Sequence, residues 1–283
     1  MDCKDITDKV SETLITAGST FSKDKLRAYK RAIEKETNPQ SKWVMEQVVE
    51  NAKVAARNRS PLCDDTGIPH IYLEVGKNRT VSGEMLEAIQ AGIAQGLRQL
   101  PGRPMAVKGN DEQRLAQSEG MHENPDALLP APIQVRNIDE DVIRVYVMME
   151  GGGPAIRGKD YRVFHKHSVD TVVEEIVSWA KEAVAQLGCS PCTLAVGIGR
   201  SHYEAAAMMM EAQVHGNYDV QSALEQRITD EVNHAHIGAL GLGGDVSVIA
   251  TFLKVGPQRA SGVRIVCLRP CCCFEPRVAS VEM

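Results

Sequence analysis

Three cysteine-bearing stretches stand far apart in this chain: Leu62-Cys63-Asp64-Asp65-Thr66-Gly67, Gly188-Cys189-Ser190-Pro191-Cys192 and Val266-Cys267-Leu268-Arg269. Thiolates are soft ligands, and three of them can hold three irons of a cubane cluster while the fourth iron stays open as a Lewis acid. A site of that kind removes or adds water rather than carrying electrons. Cys63 is followed by two carboxylates, a hydroxyl and a glycine, a poor recipe for packing a small buried thiol.

Other readings of the same residues stay open at this level. Free cysteine is ordinarily a small buried hydrophobe, and Cys189 or Cys192 could simply cap a helix. The C-x2-C pair Cys189 and Cys192 could also join two of Cys267, Cys271, Cys272 and Cys273 around zinc, or serve as the dithiol of a non-catalytic metal or redox protein. Only one C-x2-C is present, so the close cysteine run of a ferredoxin is missing. Consecutive Cys271, Cys272 and Cys273 cannot all face one metal from a strand, because side chains alternate. Cys3 is expected to face solvent.

The elements that must position these residues follow from periodicity. From Asp5 to about Asn58 apolar residues recur at helical spacing, so the first 60 or so residues are expected to be several helices. Residues 68–76 read as a strand closed by glycine, which puts Cys63 on the loop before it. Residues 82–100 read as a helix capped by Ser82 or Gly83. Residues 105–130 lack periodicity and read as a long loop. Residues 133–136 and 142–148 alternate like two strands around the turn 137–141. Residues 168–187 form an amphipathic helix with Ser168 at its start and Gly188 as its stop, and Cys189 follows at once. Residues 193–199 form a short apolar strand, 204–210 and 220–235 are helical, and 246–255 and 262–266 are strands, with Cys267 just past the last. The fold class is therefore mixed α and β: a helical N-terminal segment followed by a mixed sheet flanked by helices. Without a linker or repeat, 1–283 reads as a single domain.

Bulk properties narrow the function. A net charge of −5 over 283 residues with 4% aromatics gives neither the basic footprint nor the stacking platforms of nucleic-acid binding. No apolar run approaches a membrane span and the start resembles no signal peptide. The expected setting is cytoplasmic, where eight cysteines serve as thiols, ligands or catalytic groups rather than disulfides. Gly197-Ile198-Gly199 and Gly241-Leu242-Gly243-Gly244 match no full phosphate-loop pattern and are expected to turn tightly or to let backbones approach. The scattered histidines, including His234 and His236, lack metal spacing, and Met208 to Met210 read as core.

Five segments in order, Cys63-Asp64-Asp65-Thr66-Gly67, Gly151 to Gly153, Gly188-Cys189-Ser190-Pro191-Cys192 with Val196 to Gly199, Gly241 to Asp245, and Val263 to Cys267, make the chain resemble the class I iron-sulfur hydro-lyases. That family holds oxygen-sensitive fumarases and L-tartrate dehydratase, and the likeness is to its alpha subunit or N-terminal domain, over roughly residues 10–280. The resemblance implies that Cys63, Cys189 and Cys267 ligate a 4Fe-4S cluster. It implies that Asp65 lies beside substrate and takes part in proton transfer to the departing hydroxyl, and that Arg103 holds a substrate carboxylate. The implied substrate is a small 2-hydroxy dicarboxylic acid, and the implied partner is a separate beta subunit carrying the carbon base, within a homo- or hetero-oligomer. Where the family continues its triglycine with Ser-Glu-Asn, this chain has Pro154-Ala155-Ile156.

Overall fold

The computed structural model describes residues 2–283 and has the expected mixed α and β composition. In chain order the elements are α1 (Cys3–Ser19), α2 (Lys23–Lys35), α3 (Pro39–Asn58), β1 (Ile68–Gly76), α4 (Gly83–Gln99), α5 (Asp111–Ala116), β2 (Gln134–Ile138), β3 (Ile143–Glu150), α6 (Gly152–Ala155), β4 (Lys159–Phe164), α7 (Val169–Leu187), β5 (Cys192–Gly199), α8 (His202–His215), α9 (Ala223–Asn233), β6 (Val248–Val255), β7 (Val263–Cys271) and β8 (Val278–Glu282). Helix starts are set locally: the side chains of Asp2, Ser22, Ser82, Ser168 and Ser201 each accept a backbone N–H of the first turn, satisfying donors the helix leaves open.

The chain forms two compact units. Unit 1 comprises Met1–Thr20, Ala52–Gly151 and Arg277–Met283, and unit 2 comprises Phe21–Asn51 and Gly152–Pro276.

Unit 1 is built on a four-stranded sheet of order β2-β1-β3-β8. β1 runs parallel to β2 and antiparallel to β3, which pairs antiparallel with β8. The strands on either side of the 137–141 turn therefore do not form a hairpin: β1 lies between them. Helices α1 and α4 pack together, and the core of the unit gathers Val10, Leu14, Ile89, Ile93, Leu73, Val145 and Val147. Gly92 lets α1 come close, since a Cβ there would stand 2.7 Å from both Val10 Cβ and the Thr7 carbonyl. The expected loop over 105–130 holds the short helix α5, started by a reciprocal Asn110 and Gln113 capping box.

Unit 2 has the sheet order β4-β7-β5-β6, with β5 parallel to β6 and antiparallel to β7, and β7 antiparallel to β4. Side chains of α7 and α9 join one core cluster with Val196, Leu194 and Leu268. Those of α8 join Ala195, Cys267 and Cys271 in another. With helices on both faces, β5 is buried at all eight positions, which is why it reads as one continuous apolar run. Gly197 is the contact point: a Cβ there would meet the Ala205 carbonyl at 2.1 Å and the Met209 nitrogen at 2.2 Å.

Strand β7 continues well beyond residue 266, so Cys267 lies within the strand rather than past its end. Pro270 hides this continuation in the sequence, because proline is rare in a central strand. It is tolerated because β4 pairs with β7 only as far as Leu268, leaving no ladder for its missing N–H.

Candidate functional site

In unit 1 the loop from Cys63 to Gly67 is fixed through its backbone and through the Asp64 carboxylate. The N–H of the buried Leu62 donates to the Gly18 carbonyl at 3.0 Å, and the Asp64 carboxylate accepts the N–H of Asp65 at 2.9 Å and the Cys63 thiol at 3.4 Å. Gly67 turns the chain with φ +93°, where a Cβ would sit 2.7 Å from the Arg277 guanidinium and 2.9 Å from the Glu150 carbonyl carbon. Only glycine suits that combination of left-handed backbone and close approach. Cys63 and Asp65 are half-buried, and Asp64 is exposed.

Arg103 is brought to this loop. Its N–H donates to Thr66 Oγ1 at 3.0 Å and its guanidinium lies 3.6 Å from the Asp64 carboxylate. Gly102 makes the approach possible, since a Cβ there would clash with the Thr66 side chain at 2.7 Å. Both charges of the Arg103–Asp64 pair are largely exposed, so the pair holds little energy.

Arg277, which no motif in the sequence marks, is buried against the same loop. It donates from Nε to the Met149 carbonyl at 3.0 Å and from Nη1 to the Asp65 carbonyl at 2.9 Å. Its signal in the sequence was a lone arginine just ahead of an unrecognised strand.

In unit 2, Gly188 ends α7 with φ +78° and delivers an exposed Cys189. Its carbonyl accepts the N–H of Cys273 at 2.9 Å, and the turn is closed by the Glu275 N–H on the Cys272 carbonyl at 2.9 Å. Cys272 is half-buried and Cys273 is buried. A hydrogen bond with Cys272 and then burial push the Cys273 thiol well above its ordinary value. Burial likewise pushes up the thiol of Cys192, which lies in the apolar cluster with Leu194 and Val196. An inert, fully buried thiol does not suit the dithiol pairing of Cys189 with Cys192.

Cys267 is not gathered with Cys189. It pairs in register with Gly197, near the far end of β5, whereas Cys271 pairs with Thr193 near the end from which Cys189 extends. Four residues of strand separate them, about 13 Å. Cys267 instead packs with Ala195, Ala205 and Met209. The cysteines near Cys189 are Cys272 and Cys273, which a strand would face to opposite sides. β7 ends at Cys271, and the turn that follows releases the next two from that constraint.

The same turn is underpinned by buried polar groups. Lys25 Nζ donates to the Glu275 carbonyl at 2.8 Å, and burial lowers its ammonium to about 8. Tyr29 Oη donates to the Cys273 carbonyl at 2.7 Å, and the buried Arg269 and Glu275 pair at 3.0 Å.

The remaining expectations resolve simply. The glycine-rich loop is gripped by buried Glu36, which accepts the N–H groups of Asp245 and Val246 at 3.0 Å, and Gly238, Gly241, Gly243 and Gly244 all have positive φ. The loop turns tightly rather than cradling phosphate. His234 and His236 are exposed, with His236 3.6 Å from Asp245. Met208 and Met209 are core, and Cys3 is exposed.

Among the described residues no cysteine forms a disulfide, no three His, Cys, Asp or Glu side chains stand grouped as a ready-made metal cage, and no helix is long and apolar enough to cross a membrane. The donor chemistry nevertheless suits an iron-sulfur group, since thiols are soft donors and neither Cys63 nor Cys189 is buried.

Comparison with known proteins places these features in context. The family model for fumarate hydratase (Fumerase) matches residues 7–282. A Methanocaldococcus jannaschii protein provisionally named L(+)-tartrate dehydratase subunit alpha is 25% identical, over 97% of this chain and 96% of its own length. The Escherichia coli L(+)-tartrate dehydratase subunit alpha is 25% identical, over 88% of this chain and 80% of its own.

Proposed function

Since the chain belongs to the fumarate hydratase (Fumerase) family and is a hydro-lyase, we propose that it is the alpha-type subunit of an iron-sulfur enzyme that reversibly dehydrates a small 2-hydroxy dicarboxylic acid of the malate or tartrate type. The carrying observation is the match over residues 7–282, and the loop that presents Cys63 and Asp65 on a backbone held by Arg277 supports it. The reading includes a cytoplasmic setting and the whole chain acting as one functional domain.

The thiols proposed to hold a 4Fe-4S cluster are Cys63, Cys189 and, in place of Cys267, Cys272. The exchange rests on the Cys189 carbonyl accepting the N–H of the residue next to Cys272, while Cys267 is buried mid-strand. When bound, such a cluster supplies a Lewis acid for a hydroxyl and its neighbouring carboxylate. Arg103 binds the far carboxylate through parallel N–H donors. Asp65, held at its carbonyl by Arg277, delivers a proton to the departing hydroxyl and takes it back in hydration. The base that removes the proton from the neighbouring carbon belongs to a beta subunit. The naming of both relatives as alpha subunits supports such a partner.

Anaerobic loading with ferrous iron and sulfide, followed by iron and sulfide analysis and electron paramagnetic resonance with and without malate or tartrate, tests this reading. The wild-type chain and Cys267→Ser are expected to take up iron, and Cys63→Ser, Cys189→Ser and Cys272→Ser to lose it. A wild-type chain that binds no iron would sink the cluster. Uptake lost in Cys267→Ser and kept in Cys272→Ser would return the third position to Cys267. Asp65→Asn is expected to keep iron and lose at least about a hundredfold in turnover with the beta partner.

A further inference from the structure

We propose that α2 carries a positioning pair, Lys25 and Tyr29, whose task is to hold the turn of Cys272 to Glu275, and through it the carbonyl of Cys189, in the arrangement that receives the metal. This rests on the reading of Cys189 and Cys272 as ligands. Tyr29 and Lys25 lie four residues apart, one turn along the helix, and so share a face. Each donates to a backbone carbonyl of the turn: Tyr29 Oη to Cys273 at 2.7 Å and Lys25 Nζ to Glu275 at 2.8 Å. Cys273 is thus gripped on both sides, its carbonyl by Tyr29 and its N–H by the Cys189 carbonyl at 2.9 Å.

Packing alone does not explain the lysine. Lys25 is 1% exposed, and an ammonium removed from water is costly unless it is compensated. The nearby Glu275 carboxylate accepts from buried Arg269 at 3.0 Å, while the Lys25 ammonium has the Glu275 carbonyl and the face of Phe21, 4.3 Å from its centroid. A leucine or methionine would fill the same space without burying a charge. What the lysine adds is reach and a donor: its Nζ extends to the Glu275 carbonyl at 2.8 Å and ties down the end of the turn, which an apolar side chain cannot do.

The test uses Tyr29→Phe and Lys25→Met in the full chain, with two readouts. In reduced, iron-free protein, the alkylation of each cysteine by iodoacetamide is followed by mass spectrometry. Cys272 and Cys273 are expected to react about tenfold faster in the variants, with Cys3 and Cys63 unchanged. In anaerobically loaded protein, release of iron to a chelator is expected to be about tenfold faster, the scale typical of groups that orient metal ligands. If both variants alkylate and release iron as wild type does, the positioning role is wrong. A uniform rise in reactivity at all cysteines marks general loosening and also overturns it. Should Lys25→Met fail to fold, Tyr29→Phe, which removes one oxygen, decides alone. Wild-type protein that takes up no iron, with faster alkylation confined to Cys272 and Cys273, would sink the ligand reading and support the hold on the turn.

Discussion

The two sheets share a strand count and a mix of one parallel and two antiparallel pairings, yet β5 in unit 2 is buried throughout while β2 in unit 1 is largely exposed. The candidate residues are held differently to match. Unit 1 fixes the Cys63 loop through its backbone, with Arg277 donating to the Asp65 carbonyl and the Leu62 N–H donating to the Gly18 carbonyl, while Cys63 and Asp65 stay half-buried and Arg103 exposed. Unit 2 fixes the turn at Cys272 and Cys273 by burying a lysine, a tyrosine and an arginine–glutamate pair beneath it. The contrast is between an accessible loop fixed through its own backbone and a turn that rests on a buried polar support.

The comparison can be broken at several points. The largest effect is expected from Gly197→Ala, whose Cβ meets helix backbone at 2.1 Å and cannot be relieved by a rotamer change. A loss on the order of 4 kcal/mol is expected in urea unfolding. Gly92→Ala in unit 1, facing a valine side chain as well as a carbonyl, is expected to cost less, and an equal or larger loss there would reverse the ranking of the two units.

Lys25 gives the next effect, through pH. Its ammonium is held to about 8 in the folded chain against an ordinary 10.5. Between those values the unfolded chain carries a proton that the folded chain has released, so stability rises with pH across that window, by up to about 3 kcal/mol. The stability difference between wild type and Lys25→Met should therefore move in favour of wild type from pH 8 to 10.5. A flat difference would mean that the charge is not buried as described.

Arg277→Met removes charged donors from the Met149 and Asp65 carbonyls, and about 2 kcal/mol of stability should go with them. Turnover with the beta partner should fall as well, because the Asp65 backbone is released. Stability lost without any change in turnover would detach Arg277 from the site. The smallest effects are at helix starts: Ser82→Ala in unit 1 and Ser168→Ala in unit 2 should each cost about 1 kcal/mol, measured by thermal unfolding. Similar losses would show that local capping is independent of how deeply a unit's sheet is buried.

Legibility in the sequence cut across the two units. Helices α1, α4 and α7, the strands β1 and β5, and the caps Ser82 and Ser168 could be read directly, because each obeys a local rule of period or hydrogen bonding. β4 and β8 were invisible: Lys-Asp-Tyr-Arg-Val-Phe and Val-Ala-Ser-Val-Glu are short, lie at sheet edges and are exposed or half-buried at nearly every position, so neither carries a continuous apolar run. The pairing of β1 between β2 and β3 was hidden as well, since nothing local states which strand comes between two neighbours in sequence.

The sequence by itself determined the chemical vocabulary: a thiol beside paired carboxylates at Cys63, a helix stop that delivers Cys189, and the motifs in order along the chain. Tertiary structure alone decided which groups meet. It brought Arg277 to the Asp65 carbonyl across some two hundred residues, set Cys273 rather than Cys267 against Cys189, and placed Lys25 under that turn. The physical reason is that strand register and helix packing are fixed by burial of whole faces, and a residue's neighbours across a sheet follow from that burial rather than from its own type.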